Sequence, residues 1–261
     1  TPSVITREAT DITLNSATVA GIIETDGGHP ILEQGICYST STNPTIEHLI
    51  VKSGSKLETY SCSLVDLQEG TTYYARAYAT NKLGTAYGNE IQFTTKARTY
   101  ENGHEYIDLG LSVKWASMNI GASSPEESGD YFAWGETTPK SFYSWSTYKY
   151  CNGTYDSLTK YNHNENMGVV DNKMELELSD DAANVNWGGA WRMPTEAEQD
   201  ELRNNCTWTW TTQNGVNGYK VVGPNGNSIF LPAAGYIFEG TLYHAGSYGY
   251  YCSSSLDAPR Y

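Results

Sequence analysis

The chain has 261 residues, of which 39% are hydrophobic and 13% aromatic, and its formal net charge is −14. This length predicts one or two domains, and the acidity disfavours nucleic acid and anionic lipid surfaces as partners because both are negatively charged. No run of about 18 apolar residues is present, so the sequence predicts no transmembrane segment.

Residues 1–96 have the pattern of a β-sandwich. Short runs of alternating apolar and polar residues recur there, with Gly, Asp and Asn turn signals between them. The predicted strands lie at residues 17–23, 31–38, 59–64, 74–79 and 90–94.

The sequence around Tyr73 resembles a known sandwich family. The pattern Leu67-x-x-Gly70-Thr71-x-Tyr73 is similar to the tyrosine corner of fibronectin type III domains, in which a tyrosine hydroxyl bonds back to the backbone. Residues 72–81 resemble the variant of this domain that is common in surface proteins of Bacteroidetes. The resemblance covers residues 1–96 and implies a spacer domain without a ligand of its own.

A second domain is predicted over residues 100–261, after a short polar link. All seven tryptophans lie at or after Trp115, and this shift in composition marks the boundary. The region is a mixture of α and β patterns, with short strands expected at residues 106–111, 113–116 and 130–135. The polar stretch 140–178 predicts mostly loop, followed by a helical turn at 180–184 that Ser179 would cap.

The clearest helix signal follows Trp187 and Trp191. Thr195 and Glu198 have the spacing of a capping box, and Pro194 forces the preceding residue into extended backbone. The helix is expected to run to about residue 205. Further on, a hairpin is predicted between residues 219–222 and 229–231, because the intervening turn contains Asn-Gly.

Four segments of the second region resemble the "major paralogous domain" family first noted in Fibrobacter succinogenes. They are residues 106–116, 129–137 and 186–195, and residues 229–236 taken with 246–251. The resemblance implies a C-type-lectin-like α+β fold, related to that of formylglycine-generating enzymes. The two resemblances together imply structural roles for nine motif residues. These are Tyr73 in the tyrosine corner and, in the second region, Trp115, Trp134, Trp187, Trp191, Arg192, Pro194, Thr195 and Glu198.

The resemblance also bears on location and on the ends of the chain. Family members belong to secreted or lipid-anchored proteins, which implies an extracytoplasmic protein at the cell surface or secreted. The chain opens with Thr1, which predicts a removed N-terminal segment that could have carried a lipid anchor. The family commonly has Trp at the position of Cys252. Its pattern continues beyond Tyr261, which implies a second domain incomplete at its C-terminus.

No catalytic constellation is apparent. None of the five histidines lies in a known hydrolase motif, and no Gly-x-Ser-x-Gly elbow occurs. The five cysteines form no Cys-x-x-Cys pair and are expected to be mostly buried or free thiols. Two alternatives stay open: a Cys252–His244 pair, and a Cys206–Cys252 pair as in formylglycine-generating oxidases.

Calcium is the one cofactor for which the sequence offers candidates. Asp130 lies in an acidic loop with two glutamates, and Asp180 and Asp181 form a second acidic pair. Calcium takes six to eight oxygen ligands, which two such loops could supply. The alternative is a pair of solvated acidic loops, and no other cofactor is predicted.

The C-terminal run 243–255 is rich in Tyr, Ser and Gly, the composition of antibody-like binding surfaces. We therefore predict a non-catalytic surface binding or adhesion protein that recognises an extracellular glycan or a surface protein; the alternative is that these are ordinary strand residues. Other hypotheses are a structural subunit of a surface assembly and a relative of the oxidases. The predicted ligand-binding residues are Tyr243, Tyr248, Tyr250, Tyr251 and Ser253.

Overall fold

The computed structural model describes residues 1–54 and 58–256. Contacts divide the chain into two compact units, Thr1–Arg98 and Thr99–Tyr261. The last residues of the predicted second domain, 257–261, lie outside the described residues. Within the described ranges, no helix is long and apolar enough to cross a membrane.

The first unit is a β-sandwich, as predicted. One sheet has the order β1-β2-β5, and the other has the order β4-β3-β6-β7, with β8 pairing a different part of β6. All of these pairs are antiparallel. The sequence did not predict β1, β4 and β7, which are short strands. The strands are β1 (Ser3–Thr6), β2 (Ala17–Thr25), β3 (Glu33–Ser39), β4 (Leu49–Lys52), β5 (Thr59–Leu64), β6 (Thr72–Asn81), β7 (Gly84–Tyr87) and β8 (Ile91–Thr94).

Strand alternation builds the core of this unit. Along β5 the side chains of Tyr60, Cys62 and Leu64 are buried and those between them are exposed, because successive side chains point to opposite faces. The Tyr60 hydroxyl donates a hydrogen bond to the carbonyl of Tyr78, at 3.0 Å. This bond satisfies the polar end of a side chain that is otherwise surrounded by apolar atoms.

The tyrosine corner predicted at Tyr73 is present. The backbone N–H of Gln68 donates to the Tyr73 hydroxyl at 2.9 Å. The Tyr73 ring is buried and packs between Phe93, with a centroid distance of 5.8 Å, and Tyr38, at 6.2 Å. The residue therefore fixes the turn that leads into β6 and contributes to the core at the same time.

The second unit combines small sheets with two helices. Its described sheets have the orders β11-β10-β9, β12-β13-β14 and β15-β16. A small core forms around Leu109, Leu202, Val221 and Ile229. The elements are β9 (Thr99–Glu101), β10 (His104–Ile107), β11 (Trp115–Ala116), α1 (Ala182–Trp187), α2 (Glu196–Asn205), β12 (Thr207–Gln213), β13 (Val216–Val222), β14 (Ser228–Pro232), β15 (Tyr236–Phe238) and β16 (Thr241–Tyr243).

Several local predictions for this unit are confirmed. The hairpin is β13–β14, and residues 140–178 are mostly loop, with one-turn 3₁₀ helices at Trp145–Thr147 and Glu165–Met167. Helix α2 begins after Thr195, whose hydroxyl accepts from the backbone N–H of Glu198 at 3.3 Å. The Glu198 carboxylate accepts in return from the Thr195 N–H at 2.8 Å.

Of the strand expected at 106–111 only residues 106 and 107 form part of β10, and two other predictions are wrong. Residues 130–135 form no strand, because side-chain bonds hold the segment instead: the Trp134 indole donates to the Ser253 carbonyl at 2.8 Å and the Tyr131 hydroxyl to the Ala234 carbonyl at 2.6 Å. The residue that caps α1 is Asp181, not Ser179. Its carboxylate accepts from the Asn184 N–H at 3.0 Å, so the helix begins two residues later than expected.

Candidate functional site

Five aromatic side chains gather at the β15–β16 hairpin and the segment that follows it. Tyr236 lies at their centre and pairs across the hairpin with Tyr243. The centroid of its ring lies 5.4 Å from that of Tyr243, 5.7 Å from His244 and 5.0 Å from Tyr250. Tyr248 packs edge-on against His244 at 5.4 Å. We call Tyr236, Tyr243, His244, Tyr248 and Tyr250 the tyrosine cluster.

Glycine and tight turns position the cluster. Gly235 has a φ of +72° and its N–H donates to the carbonyl of Tyr248 at 2.7 Å. A Cβ at this position would lie 2.1 Å from the carbonyl oxygen of Tyr243, so only glycine fits here. The N–H of Gly246 donates to the carbonyl of Ala233 at 2.7 Å. These bonds bring the hairpin and the following turn side by side.

The cluster is accessible and has free hydrogen-bonding capacity. Tyr248 is 59% exposed and Tyr250 56% exposed. Within the part of the chain that the structure describes, the hydroxyl groups of these two tyrosines, and of Tyr236 and Tyr243, form no hydrogen bond. Such rings offer an apolar face together with a polar tip.

The other two predicted contact residues are tied into the fold. The Tyr251 hydroxyl donates to the Pro232 carbonyl at 3.0 Å and accepts from the Asn119 amide at 3.3 Å. Loss of hydration raises the pKa of Tyr251 to about 12. The Ser253 hydroxyl donates to the Ser255 carbonyl at 3.1 Å. Tyr251 and Ser253 are therefore hydrogen-bonded within the fold and stabilise the C-terminal segment. They differ in this from the four tyrosines of the tyrosine cluster, whose hydroxyl groups form no hydrogen bond within the described residues.

Sequence reasoning missed the centre of the cluster. In the sequence, Tyr236 belongs to a family motif, and His244 is only a candidate partner of Cys252. The signal that could have found them is the hairpin turn Glu239–Gly240, which places Tyr236 opposite Tyr243. In the structure, the His244 ring contacts the rings of Tyr236 and Tyr248.

A groove adjoins the cluster within the second unit. Its volume is about 1650 Å³, and its lining is mostly apolar and includes Trp115, Trp191 and Phe230. Tyr236, Tyr248 and Tyr250 also contribute to the lining. The tyrosine cluster therefore lies at the border of a concavity, where binding sites are commonly found.

The tryptophan motif residues have structural roles. The rings of Trp187 and Trp191 are buried and pack edge to face, with their centroids 4.8 Å apart. The Trp191 indole donates to the Glu101 carbonyl at 2.8 Å, and the Pro194 carbonyl accepts from the Ser254 N–H at 2.8 Å. Together they connect β9, the start of α2 and the C-terminal segment.

Arg192 forms a two-contact ion pair with Glu198. The guanidinium nitrogens lie 2.8 and 2.5 Å from the two carboxylate oxygens. This pair lowers the pKa of Glu198 from 4.5 to about 2. Because Glu198 also completes the capping box, the charge pair and the helix start depend on one side chain.

Two of the three calcium candidates, Asp180 and Asp181, bind other groups of the protein. Asp180 accepts from Lys160 at 2.5 Å and from Tyr161 at 2.7 Å; burial opposes ionisation, but these bonds outweigh it and lower the pKa of Asp180. Asp181 caps α1 and also accepts from the Met193 N–H at 2.8 Å. In residues 1–54 and 58–256, Asp130 and these two carboxylates belong to no group of three or more metal-ligating side chains.

The cysteines show no activated pair. Among the described residues all five are free, and Cys206 and Cys252 form no disulfide. Loss of hydration raises the pKa of both of these thiols, whereas a nucleophilic cysteine needs a lowered pKa.

No family model matches the chain, and no curated protein matches it. Several solved structures are similar to it. One is a myokine (21% identity, covering 37% of this chain and 99% of that one, TM-score 0.28). Another is the sensor domain of an anti-sigma factor from Pseudobacteroides cellulosolvens (20% identity, covering 37% of this chain and 76% of that one, TM-score 0.29). A third is the sixth fibronectin type III domain of a human protein (15% identity, covering 36% of this chain and 84% of that one, TM-score 0.28). The β-sandwich assignment rests on the strand pairing of the first unit.

Proposed function

We propose that this chain is a non-catalytic binding protein of the cell surface, or a secreted one, whose second unit recognises a glycan through the tyrosine cluster. In this proposal the first unit is a spacer. The resemblance of residues 100–261 to the major paralogous family supports the surface location and a C-type-lectin-like fold for the second unit.

The observation that carries the proposal is the tyrosine cluster itself. Sugar rings present one face of C–H groups and a rim of hydroxyl groups. Exposed tyrosine rings with free hydroxyl groups complement both, since they supply an apolar surface and a hydrogen-bonding tip. Contacts between the rings already restrict their motion, which reduces the entropy lost on binding.

The net charge of the second unit favours one class of glycan over another. Residues 99–261 contain 20 Asp or Glu and 9 Lys or Arg, a net charge of −11. Such a surface repels anionic partners at moderate ionic strength. We therefore propose an uncharged glycan in preference to a sulfated or uronate-rich one.

The proposal is tested by binding to a broad glycan array, first with calcium and then with chelator. Replacing Tyr248 and Tyr250 together by alanine is expected to abolish binding while leaving the unfolding transition unchanged. Tyr100→Ala is a matched control, because Tyr100 is 54% exposed on β9 of the same unit and should bind normally. Unchanged affinity of the double variant would exclude the tyrosine cluster as the contact surface, and a blank array would favour a protein ligand.

A further inference from the structure

A second group of exposed aromatic side chains lies in the loop 141–155. Phe142 and Tyr155 are more than two-fifths exposed, and Trp145 is 47% exposed. Trp145 and Tyr155 approach each other with ring centroids 6.5 Å apart. We call Phe142, Trp145 and Tyr155 the loop cluster. Apolar rings so close together on a surface are typical of interaction sites.

The β15–β16 hairpin links the two clusters. Tyr236 and Phe238 are two residues apart on one strand and so share a face, roughly 7 Å apart along the strand. Phe238 is also exposed. At the hairpin turn, the Glu239 N–H donates to the Tyr143 carbonyl at 2.9 Å. A Cβ on Gly240 would lie 3.5 Å from the Phe142 ring, so the turn packs directly against the loop cluster.

Internal hydrogen bonds hold the loop cluster in place. The Lys140 ammonium donates to the Thr147 carbonyl at 2.8 Å and pairs with Glu136 at 2.6 Å. The Thr147 hydroxyl donates to the Phe142 carbonyl at 3.1 Å. The Tyr148 hydroxyl donates to the Trp134 carbonyl at 3.0 Å, and the Tyr148 ring supports Trp145 from the side. The exposed rings are therefore carried by an ordered loop.

We infer that the tyrosine cluster and the loop cluster are two subsites of one aromatic band, with Phe238 between them, and that the band binds a linear, uncharged polysaccharide. This inference rests on the proposed function and adds a ligand class to it. One cluster alone is large enough for a short sugar. A second cluster, joined to the first through the hairpin, adds binding energy only for a chain long enough to reach both.

The chemistry of the band favours such a chain. Phe142, Phe238 and Trp145 offer ring faces for stacking on sugars, and the tyrosine hydroxyl groups can bond to sugar hydroxyls at the other end. The excess of Asp and Glu over Lys and Arg in this unit disfavours anionic polysaccharides. Once a polysaccharide is bound at one subsite, its contact with the other subsite is intramolecular. This raises the overall affinity without any new type of contact.

The test uses the full chain and defined oligosaccharides. Calorimetry would measure affinity for cello-, xylo-, manno- and chito-oligosaccharides from disaccharide to octasaccharide. In at least one series, affinity is expected to rise at least about tenfold with length. Phe142→Ala and Trp145→Ala should each lower affinity for the octasaccharide and leave that for the disaccharide unchanged. Tyr100→Ala is the control, because Tyr100 is 54% exposed on β9 and lines neither the groove nor the band.

The outcomes separate this inference from the proposed function. Binding that is independent of length, or unaffected by both loop-cluster variants, would overturn the inference and leave the tyrosine cluster as a site for short glycans. Absence of binding in every series, combined with binding to a protein ligand, would overturn both. Equal losses for Tyr100→Ala and Trp145→Ala would also overturn the inference, since the loss of affinity would then not depend on the band.

Discussion

Replacing Glu198 by glutamine should destabilise the second unit in a pH-dependent way. Glutamine keeps an oxygen that can accept from the Thr195 N–H, so the capping box can persist. The substitution removes the charge that Arg192 contacts through two nitrogens. It therefore isolates the ion pair from the helix cap.

The expected magnitude follows from the pKa of Glu198. Folding lowers it from 4.5 to about 2, and each tenfold change in proton affinity corresponds to about 1.4 kcal/mol. The ionised carboxylate would thus stabilise the fold by about 3 kcal/mol at neutral pH. The Arg192 side chain is 40% exposed, and solvent screening weakens such a pair, so we expect a loss of about 1.5 to 2.5 kcal/mol.

The sign of the pH dependence is fixed by the direction of the shift. Because the pKa is lower in the folded state, the stabilisation is complete above pH 4.5 and is lost as the pH falls through about 2. The difference between the wild-type chain and Glu198→Gln should therefore be largest near pH 7 and should shrink steadily in acid.

Urea unfolding followed by tryptophan fluorescence is a suitable assay, since all seven tryptophans lie in the second unit. Glu196→Gln is the control, because Glu196 is an exposed first-turn residue of α2 without an ion pair among the described residues. A loss at pH 7 below about 0.5 kcal/mol, the scatter of ordinary surface substitutions, would refute the reasoning. A loss that is equally large at pH 7 and pH 2 would also refute it.

Two further predictions concern the first unit. Tyr73→Phe leaves the Gln68 N–H without its partner and should lower the free energy of unfolding by about 1 to 2 kcal/mol in calorimetry. The Tyr74 hydroxyl forms no hydrogen bond within the described residues, so Tyr74→Phe should be neutral, and equal effects of the two substitutions would contradict the tyrosine-corner role. Burial raises the pKa of Cys37 to about 11 and also raises that of Cys62; both thiols should therefore react with an aromatic disulfide reagent at pH 8 only as the unit unfolds. Rapid reaction of either in the native protein would show that the core is open.

The parts of the fold that the sequence predicts are those with local signals. Alternation of apolar and polar residues predicted β2, β5 and β6, and burial in the structure follows a period of two except at the C-terminal end of β2 and around Tyr78 in β6. The capping box at Thr195 marked the start of α2, because both partners lie within one turn. Short strands such as β4, whose four residues are mostly exposed, carry no such alternation and were missed.

The predictions failed where long-range contacts decide the conformation. The aromatic residues at 130–135 suit a strand, but Trp134 bonds to a carbonyl more than one hundred residues away. The same reason applies to the proposed binding surface. Tyr248 and Tyr250 could be selected by composition alone, whereas Tyr236 joins them only through the pairing of β15 with β16.

The proposed recognition should therefore depend on residues that never touch the ligand. Gly235 holds the hairpin against the carbonyl of Tyr248 in a backbone conformation that disfavours any side chain. Displacing this contact would separate Tyr250 from Tyr236, whose rings are 5.0 Å apart. The free rings would then have to be ordered by the ligand, at an entropic cost for each side chain. Because these ring contacts are present without a ligand, the backbone already sets the order of the proposed binding surface.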